Sequence, residues 1–140
     1  MPRNRPSAVR AAHPAPPKFS RPYSEVDGLS RRTTEILRRL EAGRFQPGYV
    51  ADAVASYRGL LRQPGRILYV DIDDCPCCDP VHFRDQLDDV IRALPRGGGN
   101  DLRRLVAKLD REFERRTLPD IYAEPNGDHR WWRYRQRQRD

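Results

Sequence analysis

Residues 71–82 read Asp-Ile-Asp-Asp-Cys-Pro-Cys-Cys-Asp-Pro-Val-His. This stretch holds all 3 cysteines of the 140-residue chain and one of its 3 histidines. Cys75 and Cys78 stand as C-x-x-C, a spacing at which two thiolates from one turn grip a single Zn²⁺. Cys77 or Asp79, with His82 one helical turn further on, can complete a tetrahedral set. A helix beginning beside them would favour the thiolate forms. Zinc held by Cys75, Cys77, Cys78 and His82 is therefore one expectation. The loop is tight for four ligands, and no second knuckle occurs elsewhere. Two chains sharing one ion, as a homodimer, would relieve that crowding.

The same residues admit other readings. Cysteine is often a small buried apolar residue, and Asp-Pro steps make turns and caps, so the cluster can simply pack beneath helices. Strand, then C-x-x-C, then helix is also the local order at Val70–Asp71 and Cys75–Cys78. It resembles the thioredoxin active site, where the helix N-terminus lowers the pKa of the first thiol. That resemblance implies a thiol-redox protein. It stops after the helix, where thioredoxin-like folds need further strands and helical segments follow instead. Asp71-Ile72-Asp73 after an apolar run resembles the first motif of haloacid-dehalogenase-type phosphotransferases. Asp74-Cys75 departs from that motif, and the multi-strand fold behind it is missing from the pattern. Residues 71–89 also carry seven acids against Arg84 alone. Such a segment can bind cations or a basic partner, or face the arginine-rich helices of its own fold.

A second cluster closes the chain. Trp131, Trp132 and Tyr134 alternate with Arg130, Arg133, Arg135 and Arg137. Aromatic faces stack on bases while guanidinium groups pair phosphates, so this composition suits single-stranded nucleic acid. Together with a basic N-terminus it would form a salt-sensitive, sequence-independent clamp. Alternatively the tryptophans fold back onto the core, leaving the arginines at the surface. No recognised nucleic-acid-binding signature accompanies the cluster.

Four helices must position these clusters. The first spans about 25–43, capped by Ser24 or Asp27, with Val26, Leu29, Thr33, Ile36, Leu37 and Leu40 at helical spacing. Pro47 opens the second in its first turn. Val50, Ala53, Val54, Tyr57, Leu60 and Leu61 form its stripe, and Pro64-Gly65 ends it. A third covers about 80–94 with Phe83, Leu87, Val90, Ile91 and Leu94 on one face. Asn100 or Asp101 caps a fourth, reaching about Thr117, with Leu102, Leu105, Val106, Leu109 and Phe113 inward. Gly97–Gly99 reads as a flexible joint. Glu35, Glu41, Glu112 and Glu114 read as surface charges. Ile67–Ile72 is the one strand signal. A lone strand leaves backbone groups unpaired. It could pair near Ile121-Tyr122, pair with a second copy, or serve as an extended connection. The expected fold is mainly α: a four-helix domain at 24–118 with one short strand, a disordered basic tail at 1–23, and a loop and basic aromatic tail at 119–140.

Charge supports that division. The formal net charge is +7. Residues 1–23 hold five basic residues and no acid, and 126–140 hold five arginines against two acids, while 24–125 is one charge short of neutral. Only Lys18 and Lys108 are lysines, so the basic side chains are nearly all arginine. That bias suits bidentate phosphate contacts, and also follows from GC-rich codons. Hydrophobic residues make up 37 %, below the usual share of about 45–50 % for a globular chain. No apolar run approaches the roughly 20 residues of a membrane span. The N-terminus lacks the apolar core of a secretory signal, and an odd cysteine count does not suggest a disulfide framework. These features point to a reducing cytoplasm and no membrane. The leading expectation is a non-enzymatic binding protein for nucleic acid or a ribonucleoprotein. A metal-binding or protein-interaction module at 71–82 is the alternative, and a thiol-redox protein the third.

Overall fold

A computed structural model describes residues 24–68, 70, 79, 81–123 and 129–135. It is mainly helical, with four α-helices: α1 Arg31–Gly43, α2 Tyr49–Leu61, α3 His82–Ala93 and α4 Asn100–Arg115. A short 3-10 helix follows at Trp131–Tyr134. The apolar stripes face one core. Leu37 comes from α1, Val50, Val54 and Tyr57 from α2, Leu87 and Val90 from α3, and Leu102, Val106 and Phe113 from α4. α2 contacts the other three helices, most extensively α3.

The helix ends differ from the sequence expectation for identifiable reasons. α1 starts at Arg31 because Ser30 is its cap, accepting the Thr33 N–H at 3.2 Å. Gly28, at φ 85°, breaks the helical path before it. α2 starts two residues after Pro47, behind Gly48 at φ 80°. Glu41 is not a surface charge. It is 2 % exposed and accepts the backbone N–H groups of Gly48 at 3.0 Å and Val50 at 3.1 Å. A helix N-terminus leaves such donors without intrahelical partners, and Glu41 supplies the cap from the preceding helix.

The glycine triplet is a packed turn rather than a loose joint. Gly98 and Gly99 are buried. Gly99, at φ 72°, leads into α4, and a Cβ there would lie 2.7 Å from Leu94 Cδ1. The expected strand is not seen among the described residues of 67–72. Leu68 and Val70 are nonetheless buried, and the Leu68 N–H donates to the Arg116 carbonyl at 2.8 Å. No bridge joins the described residues of this segment to Ile121 or Tyr122, which are 83 % and 88 % exposed. An isolated antiparallel bridge joins Pro119 and Arg135 instead.

Asp101 ties the starts of α1 and α4 together. It accepts the Ser30 N–H at 2.7 Å and the Thr33 hydroxyl. Burial alone would raise its pKa, but these hydrogen bonds overcome that effect and hold it at about 2. A carboxylate with a depressed pKa contributes stability above its unfolded value of about 3.9, and loses it as pH falls through the folded value. Asp101→Asn is therefore expected to cost about 1 kcal/mol at neutral pH, discounted for solvent access. Urea titrations should show the gap between wild type and variant closing between about pH 4 and pH 2. A gap that persists at pH 2 would contradict this assignment.

Candidate functional site

Cys75, Cys77 and Cys78 lie outside the described residues. His82 is the first residue of α3 and is half-buried, and its backbone N–H donates to the Asp79 carbonyl at 2.9 Å. Among the described residues, no group of three or more His, Cys, Asp or Glu side chains is placed to hold a metal.

Most of the C-terminal aromatic and basic cluster is described, and it is docked. Trp132 is 2 % exposed, with its indole N–H donating to Asp85 at 2.8 Å. The Arg84 guanidinium lies 3.9 Å above its ring. Trp131 is half-buried, 6.2 Å from the Phe113 ring and 5.9 Å from Trp132. Arg133 donates to Asp85, its Nε at 3.2 Å from Oδ1. Arg130 reaches Asp89 at 3.2 Å and Asp88 at 3.6 Å. Arg135 donates to the Thr117 hydroxyl at 2.8 Å and to the Glu114 carbonyl at 2.9 Å, closing the end of α4. The Tyr134 carbonyl accepts the Asp120 N–H at 2.9 Å. Arg137 lies outside the described residues.

The acidic side of this contact is the α3 part of the 71–89 segment. Asp88 is buried, with His129 Nε2 at 2.8 Å and Arg92 Nε at 3.1 Å. Burial alone would raise the Asp88 carboxyl. Its hydrogen bond to His129, with the charges of His129, Arg92 and Arg84, outweighs that effect and holds it below the usual range. These α3 acids thus face arginines of their own chain. Beneath them, Arg84 crosses to Asp110 on α4 with bonds of 2.8 and 3.0 Å, and the Tyr57 hydroxyl donates to the same carboxylate at 2.9 Å. Burial and the Asp110 charge raise the Tyr57 pKa, so the phenol stays protonated. The group locks α2, α3 and α4 together.

A groove of about 620 Å³ runs between α2 and α4 on another face. Arg58 and Arg62 rim it from α2, and Lys108, Arg111 and Arg115 from α4. Half-buried Leu61 and Leu109 line it with them. Among the described residues Glu112 is its one acid, and it already pairs with Arg115 at 2.8 Å. The one sequence signal for this groove is that Arg58/Arg62 and Arg111/Arg115 are like-charge pairs at i,i+4. Such pairs repel on an isolated helix. That α2 and α4 bring their pairs to one groove was not legible from either helix alone. The chain matches no protein-family model, no curated protein and no solved structure. Its functional reading therefore rests on its own geometry. No helix among the described residues is long and apolar enough to cross a membrane.

Proposed function

We propose that this chain is a non-enzymatic binding protein that holds a nucleic-acid backbone along the α2–α4 groove. The observation that carries the reading is the five cations gathered there around one acid that is already paired. Like charges three and four residues apart cost a few tenths of a kcal/mol per pair. Phosphates bound along the rim would turn that repulsion into attraction and release condensed counterions. Four of the five are arginines, whose planar fork suits phosphate oxygens. The half-buried leucines offer apolar surface to sugar faces. Among the described residues no aromatic side chain lines the groove, so it would bind the backbone rather than stack bases. Trp132 is buried against α3, which shifts the expected contact away from the C-terminal aromatic cluster. The basic residues of 1–23 add charge to the same electrostatic attraction.

Fluorescence anisotropy with a labelled oligonucleotide across a salt series tests this. Arg58→Gln/Arg62→Gln should weaken binding at least about tenfold near 0.1 M salt and lower the log–log salt slope by about 2. Folding should be unaffected, because Arg62 is exposed and Arg58 half-exposed. Unchanged affinity and slope in a folded variant would sink the groove reading. Equal competition by polyglutamate would also overturn it, in favour of an acidic protein partner.

A further inference from the structure

A second recess, of about 740 Å³, opens on the α3 side of α2. Three half-buried aromatic rings line it: Phe45 from the α1–α2 connection, Tyr49 from α2 and Phe83 from α3. Phe45 and Tyr49 stack on each other, 4.9 Å between centroids and 23° between planes. Gln46 and Gln86 add two amide groups, Arg44 adds an exposed cation and Asp52 a carboxylate. The neighbouring hollow of about 360 Å³ shares Arg44 and Phe45 and extends to Arg92 and to Asp89, which pairs with Arg130 at 3.2 Å. Phe83 belongs to the apolar face expected of its helix, whereas Phe45 lies in a connection where no periodicity marks it.

We propose that this recess is a site for an adenine nucleotide, with the base against Phe45, Tyr49 and Phe83 and the phosphate toward Arg44. Ring faces take a planar heterocycle by stacking, worth about 1–3 kcal/mol per base. A carboxamide presents one acceptor and two donors, the complement of adenine N6 and N7. Gln86 lines the recess beside Tyr49 and Phe83, so its amide is within the same lining as the rings. Arg44 provides the anion contact, and the shared hollow gives the sugar and phosphate room beyond the rings. A volume of 740 Å³ lies within the range of about 300–1,000 Å³ typical of small-molecule sites. The rings exclude a simple phosphate site, and Arg44 balances the Asp52 carboxylate, so the lining opposes neither adenosine nor AMP by net charge.

The inference is independent of the groove reading. α2 gives Tyr49 to the recess and Arg58 to the groove, nine residues or two and a half turns later, which places them on opposite flanks. Uncharged adenosine separates the two sites. In NMR titrations of the full chain, adenosine and AMP should both saturate below about 5 mM, AMP more tightly by about three- to tenfold. Phe83→Ala should weaken both at least about tenfold. Arg44→Ala should abolish only the AMP advantage. Arg58→Gln/Arg62→Gln should leave adenosine binding unchanged. Should Phe83→Ala fail to fold, Gln86→Glu serves in its place; its carboxylate opposes adenine N7 and should weaken adenosine similarly. No saturation by either ligand, or binding indifferent to these recess substitutions, overturns the proposal. Loss of oligonucleotide binding with adenosine binding intact would instead remove only the groove reading.

Discussion

Replacing Trp132 by alanine is expected to cost about 4 kcal/mol of folding stability, close to a thousandfold in the folding equilibrium. Three contributions add. The side chain is 2 % exposed, and deleting a buried tryptophan removes its transfer energy and leaves a cavity. The Arg84 guanidinium loses the ring 3.9 Å beneath it, on a side chain whose Nη1 has no hydrogen-bond partner among the described residues. Asp85 loses the indole N–H at 2.8 Å but keeps Arg133. Trp132→Phe separates these contributions. It keeps most of the apolar volume and a ring for Arg84, so it should lose only about 1 kcal/mol for the hydrogen bond, plus a smaller cavity cost. Urea unfolding followed by circular dichroism reads both variants. A loss below about 1 kcal/mol for Trp132→Ala would mean that residues 129–135 are not docked in solution.

The contrast between Trp132 and the helices shows what a sequence can carry. Helices are written locally. Leu87 and Val90, or Leu102 and Val106, recur at helical spacing, and their burial follows from it. Glu41 continues the Thr33–Leu37 stripe by four residues and was legible as inward-facing, yet its charge suggested the surface. Its partners, Gly48 and Val50, lie beyond the turn. Trp132 meets Asp85 across 47 positions, and no periodicity reports a pairing of that kind. The abundance of aspartate on α3 and arginine after 129 indicated attraction in principle. Which arginine meets which aspartate depends on the packing of α3 against α2 and α4. The candidate groove is of the same kind, since each helix shows its cations but only the packed pair shows that they face one another.

Arg116 should prove the other costly position, with Arg116→Ala losing about 3–5 kcal/mol. The residue is 5 % exposed. Its guanidinium donates to the carbonyls of Leu61 and Gln63 and to that of Gly65 at 2.8 Å. The last carbonyls of a helix have no intrahelical donors, and a cation there also meets the negative end of the helix dipole. Arg116 thus caps α2 from the end of α4. Its own carbonyl takes the Leu68 N–H at 2.8 Å, which fixes the connection that leaves α2. Alanine would strand these carbonyls and open a cavity together. Lysine would restore the charge but not the planar fork, so Arg116→Lys should recover less than half of the loss. Leu61 and Arg62 form the end of α2 and also line the groove. In Arg116→Lys, oligonucleotide affinity should therefore fall several-fold under conditions where the variant is still folded, because the rim of α2 is no longer held at its distance from α4. Full affinity in a destabilised but folded Arg116→Lys would show that groove width does not set binding.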